Sequence, residues 1–198
     1  MLDGNLNFND QVKNVCRASF FHIRPLRHVH PSLTEERANV VACAHVQSQV
    51  DYANSLHTGM SSVNFDKLQL MQNTLARVAT LTRKRDHIQP SLKRLHWLPI
   101  CQCVDFKVAL LTYSIRYSGE PQHLNSLLMD YKPTRSLRSA EEHLLVVPRT
   151  KLSSTSQAFS VAAPKFWNNL PLDIRNSKTM STFRKLLKTY LYKQVYEH

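Results

Sequence analysis

The residues best suited to chemistry in this chain are cations set around aromatics. Arg83, Lys84 and Arg85 are followed by Lys93, Arg94, His96 and Trp97. Side chains of these types can meet phosphates and stack on a base or sugar, which is the chemistry of nucleic-acid contact. A second group, Lys132, Arg135, Arg138, Arg149 and Lys151, lies in a Pro-, Ser- and Thr-rich stretch where exposure is expected. Trp97 stands between Leu95 and Leu98, so a core anchor is its competing role.

Other constellations fit their chemistry poorly. Cys101 and Cys103, with His96 upstream, have a one-residue gap where zinc pairs usually have two to four, and no second pair follows. His28 and His30 flank a single residue and adjoin Pro31, which makes them a loop pair and no helical ligand pair. Asp3, Asp10, Asp51, Asp66, Asp86, Asp105, Asp130 and Asp173 stand singly, so no adjacent aspartates could clamp two divalent ions. Gly4, Gly59 and Gly119 are the only glycines, which excludes a glycine-rich phosphate cradle and a GxSxG elbow. Cys16 and Cys43 fall on expected core faces, where free cysteine acts as a small hydrophobe. No catalytic residue, metal or cofactor is expected.

The elements that must position the cations are mostly helical. Over residues 11–27, Val12, Val15, Ser19, Ile23 and Leu26 share one helical face, and Pro31 ends any continuation. Ser32 and Glu35 form a capping-box pattern for a helix over 33–50, with Val40, Cys43, Ala44, Gln47 and Val50 as its buried face. A third helix follows Asn64 as cap, with Phe65, Leu68, Met71, Leu75, Val78 and Thr82 at helical spacing. A fourth, over 104–118, carries Val104, Val108, Leu111 and Ile115 and stops at Gly119, with Pro121 beyond. A short turn of helix is expected within 120–130.

After Tyr131 the composition shifts, so residues 131–143 are expected to be a linker. Residues 143–149 and 157–163 are β-capable runs, expected to pair as a hairpin. A terminal helix from Thr182 carries Phe183, Leu186, Leu187, Tyr190 and Leu191 on one stripe. The fold class is therefore mainly α: a helical bundle over 1–130, the linker, and a small α+β unit over 144–198 containing a two-stranded hairpin and the terminal helix.

Composition agrees with a polyanionic partner. The 198 residues carry a net charge of +12, and residues 132–193 hold twelve Lys or Arg against three acids. No apolar run approaches the roughly 18–20 residues of a membrane span, and the N-terminus has neither a basic nor an apolar leader region. Four scattered cysteines suit a reducing compartment. An intracellular location, nuclear or cytoplasmic, is the expectation, with no receptor-read address to choose between them.

Several strings resemble a known family. LQLMQNTLARVATLTRKRDHIQPSLKRLHWLP (68–99), PTRSLRSAEEHLLVVPR (133–149) and QAFSVAAPKFWNNLPLDIR (157–175) are similar to the region after the polymerase core of non-LTR, LINE-type retrotransposon reverse transcriptases of the jockey-like and chicken-repeat-like kind. LDGNLNFNDQVKNVCRASFFHIRPL (2–26) resembles the stretch that opens the thumb, and VDYANSL (50–56) continues the match in family order. The runs LHWLP and SVAAPKFWNNLP are the most specific, while ICQC (100–103) departs from the basic or apolar residues relatives carry there. The resemblance implies a helical thumb that grips template and primer through backbone contacts, followed by the C-terminal segment of the element's polyprotein. The palm, with its paired aspartates, and the endonuclease lie upstream of this region in the family. Because the resemblance starts within two residues of Met1, a truncation or internal start codon is expected.

The resulting expectation is a non-catalytic fragment of an RNA-directed DNA polymerase. Its partners would be an RNA or DNA template-primer, bound without sequence preference, and the missing palm in trans. From another class stands a helical protein-interaction remnant or a decayed element copy with no selected function, its basic surface incidental.

Overall fold

A computed structural model describes residues 8–51, 58, 60–132, 143–150 and 158–197. The described residues are mainly α-helical and divide into two compact units, residues 1–103 and 104–198. The expected division at residues 131–143 is not where they part: the boundary falls inside a helix. Residues 143–150 also pair with the segment around Asp130, within the second unit.

In the first unit, α1 (Asn9–Val29) buries Val12, Ser19, Ile23 and Leu26, which are four of the five residues the spacing picks out. A 3-10 turn (His30–Ser32), with Pro31 at its start, ends it. The turn is pinned by the His30 ring, whose Nε2 lies 2.9 Å from the Ala79 carbonyl oxygen. Since a carbonyl only accepts, Nε2 carries the proton there.

The next helix departs from expectation in its cap and in its face. α2 (Glu35–Ala42) is capped by Thr34, whose hydroxyl accepts from the Arg37 amide at 3.4 Å, and not by Ser32, which sits in the 3-10 turn. It buries Ala38, Ala42 and, just beyond it, Val46, while Val40 is 67% exposed. A π-turn (Cys43–Gln47) then separates α2 from α3 (Ser48–Asp51). Its i→i+5 bonding shifts the helical phase, and the two alanines let α2 approach α4 closely. A pattern drawn through the larger side chains therefore picks the wrong face.

α4 (Ser62–Thr80) is the centre of this unit, packed by α1, α2 and α5. It buries Leu68, Met71, Leu75 and Val78 together with the polar Asn64 and Gln72. Asn64 is not the cap: it lies inside the helix and donates to the Asn9 side chain at 2.8 Å, and Ser61 takes the cap position. The helix stops at Leu81, a left-handed residue with φ 52° whose amide bonds to the Arg77 carbonyl. Thr82 is thus beyond the helix and off its stripe.

α5 (Gln89–Arg94), entered through Pro90, was outside the expected elements. α6 (Ile100–Ser118) begins four residues before the expected start. Its first amide donates to the Gln69 side chain at 2.9 Å, so a residue of α4 caps it.

In the second unit, α6 buries Val104, Val108, Tyr113 and Ile115 and ends at Gly119, whose φ of 72° closes the helix as a left-handed cap. α7 (Gln122–Asn125) is the short turn expected after it. The expected hairpin is replaced by other structure. Residues 143–150 are extended but meet the chain near Asp130, in a single antiparallel bridge between Asp130 and Leu145. The presumed second strand supplies the start of α8 (Phe159–Asn168), which buries Val161, Ala163, Pro164 and Trp167. Here tertiary burial at helical spacing overrides the local β propensity of a Ser-Val-Ala run.

α9 (Leu172–Arg175) and α10 (Met180–Tyr196) complete the unit. Thr179 caps α10 by accepting from the Thr182 amide at 3.2 Å. Phe183, Leu187 and Leu191 are buried, while Leu186 stays 39% exposed, outside the stripe. Phe183 stacks on Tyr113 at 4.3 Å and on Trp167 at 5.8 Å, which makes an aromatic centre for this unit.

Candidate nucleic-acid interface

α4 ends in a loop of cations, and the loop is held in shape by a cation. Arg77, on the last turns of α4, donates from Nη1 to the Arg83 carbonyl at 2.6 Å. The hydroxyls of Thr80, Thr82 and Ser91 form a chain with 2.7 Å links that ties the loop to α5. These contacts fix the backbone and leave Arg83, Lys84 and Arg85 exposed at the surface.

Lys93, Arg94 and His96 are also exposed, on α5 and the turn after it. Arg94 is already engaged: Nε pairs with Glu35 at 2.9 Å, and Nη2 donates to the Thr80 carbonyl at 3.3 Å. Its guanidinium is therefore partly committed within the unit. Trp97 does not belong to this surface. It is 7% exposed and its indole donates to the Asn39 side chain at 3.1 Å, so it anchors α2 to the segment before α6.

Two cations outside the groups picked out in the sequence, Arg27 and Arg77, complete the site. One face of α4 presents Leu70, Thr74, Arg77 and Val78, with Leu81 just past its end, as the floor of a groove of about 620 Å³. Arg27 and His30 from the end of α1 and Lys84 from the loop also line it. The lining holds three strong cations and no carboxylate. Arg27 and Arg77 are fifty residues apart in sequence, and only the packing of α1 on α4 brings them together. The signal available in the sequence was an apolar Leu70 off the stripe of Leu68, Met71 and Leu75, and it is indeed 64% exposed.

In the second unit, Lys132 and Arg149 are exposed near the two ends of the bridge at Asp130 and Leu145. Arg135, Arg138 and Lys151 lie outside the described residues. Among the described residues no three His, Cys, Asp or Glu side chains gather as a metal site. Cys103 donates to the Leu98 carbonyl at 3.4 Å, and burial pushes the Cys16 thiol up against the opposing effect of Lys67, which keeps it protonated. No described helix is long and apolar enough to cross a membrane.

No protein-family model, curated protein or solved structure matches the chain.

Proposed function

We propose that this chain binds nucleic acid through the cationic groove and loop of its first unit, as the thumb and following region of a LINE-type reverse transcriptase, and performs no chemistry of its own. The observation that carries the reading is the groove itself: Arg27, Arg77 and Lys84 line it with no acid among them. Guanidinium and ammonium groups so placed suit phosphates, and the apolar floor of Leu70, Val78 and Leu81 suits the faces of sugars. The family resemblance of residues 2–26 and 68–99 supports the same assignment, with the first unit as a thumb-like bundle. The sequence has no adjacent aspartates with which to hold polymerase metals.

The test is fluorescence anisotropy of the chain with an RNA–DNA hybrid, duplex DNA and single-stranded RNA between about 50 and 200 mM salt. Binding whose log affinity falls linearly with log salt, and which weakens when Arg77 and Lys84 are both changed to Gln, is the expected result. Absence of binding at the lowest salt overturns the proposal and makes the basic surface incidental.

A further inference from the structure

We infer that the outer face of α1 is a second, distinct contact surface, built for single-stranded nucleic acid. The inference rests on the nucleic-acid reading above and names a different element and ligand form. Lys13, Arg17, Arg24 and Arg27 are all exposed. Their separations of four, seven and three residues keep them on one side of the helix, away from the buried Val12, Ser19, Ile23 and Leu26. At 1.5 Å per residue the row is about 21 Å long. Asp10 is the only acid in α1, and the ion pairs among the described residues involve none of these four cations. Arg27 also lines the groove, so the row runs into the site already described.

The row is interrupted by aromatics. Phe20 and Phe21 stand between Arg17 and Arg24, and Phe21 is 69% exposed. Phe21 lies four residues after Arg17 and three before Arg24, spacings that place the three positions side by side on the helix surface. Its one ring contact is edge-on to His22 at 5.5 Å, with an interplanar angle of 83°. A large apolar ring left 69% exposed between cations that form no ion pair among the described residues adds little burial to the fold. It does match the pattern of single-strand binding, in which cations take successive phosphates and an aromatic face takes a base. A duplex keeps its base faces stacked inside, so it can use the cations but not the ring. The absence of acids along the row favours a polyanion over a protein partner of mixed charge.

The experiment compares a single-stranded oligonucleotide with the same sequence as a duplex, using the full chain and its Phe21→Ala variant. Phe21 is largely exposed, and circular dichroism checks that the variant keeps its helices. Single-strand affinity is expected to fall about tenfold, with duplex affinity unchanged within about twofold. Arg17→Ala with Arg24→Ala should weaken both ligands and lower the single-strand salt slope by about 1.4, the loss of two phosphate contacts. In a Phe21→Trp variant the new fluorescence should be quenched by the single strand and unchanged by the duplex.

A Phe21→Ala chain that binds the single strand as tightly as the parent, or loses affinity equally for both ligands, overturns the inference and leaves the groove reading standing. A parent chain that binds neither ligand removes both.

Discussion

In the first unit the turns between helices are pinned by polar side chains that reach across to backbone. The buried Gln72 donates to the Leu98 carbonyl at 2.9 Å, Gln69 accepts from the Ile100 amide, and the His30 ring holds the Ala79 carbonyl. In the second unit an aromatic stack of Tyr113, Phe183 and Trp167 takes that place. Its indole reaches out to the His143 carbonyl at 2.9 Å, beside an amide clamp from Asn168 to both backbone groups of Leu145. The two arrangements fail differently. Removing a polar bridge strands a buried acceptor, whereas removing a ring leaves a void and loses dispersion contacts.

The widest separation between the units should come from Phe183→Ala. The side chain is fully buried between two rings, and its loss is expected to cost about 3–5 kcal/mol. Hydrogen exchange resolved by peptide should show the loss in residues 104–198; equal loss of protection in 1–103 would break the comparison. Gln72→Leu keeps the volume and removes the amide donor, leaving the Leu98 carbonyl with only the weaker Cys103 thiol. The expected cost is about 1–3 kcal/mol, read as a lower denaturant midpoint with an unchanged slope.

The smallest effect is a pH dependence with a definite sign. Burial pushes the Asp105 carboxyl up to about 6. The folded chain therefore holds this proton through a range in which the unfolded chain has lost it, and stability falls as pH rises from about 4 to 6. Asp105→Asn should be more stable than the parent at pH 8, by about 1–2 kcal/mol with allowance for partial exposure, and equal to it near pH 3. Denaturation midpoints of both chains at the two pH values decide it; a variant no more stable at pH 8 means the carboxylate is solvated after all.

How much was legible in the sequence depended on how far each feature reaches. The face of α1 could be read because Val12, Ser19, Ile23 and Leu26 obey one unbroken helical period. α5 could not, since its six residues span less than two turns. α8 carries Ser160, Val161 and two alanines at its start, a local pattern that leaves strand and helix unresolved until Trp167 finds its place against Phe183. The same division holds for the site. Arg83, Lys84 and Arg85 are consecutive and therefore conspicuous, whereas Arg27 and Arg77 become neighbours of Lys84 only through tertiary packing. For Trp97 the telling signal was its place between Leu95 and Leu98, which pointed to the core role it has, while adjacency to Arg94 and His96 says nothing about which way an indole faces.

The π-turn at Cys43–Gln47 bears on which changes of chain length this protein can absorb. An i→i+5 bond encloses one more residue than an i→i+4 bond, so the turn stores a single surplus residue between the buried Ala42 and the helix that resumes at Ser48. Deleting one residue there converts the turn to ordinary α-helix and leaves Ala38 and Ala42 seated on α4. The same deletion inside α4 rotates everything beyond it by about 100° and takes the later buried positions off the packed face. Among the described helices, a single-residue deletion is therefore best accommodated at that turn.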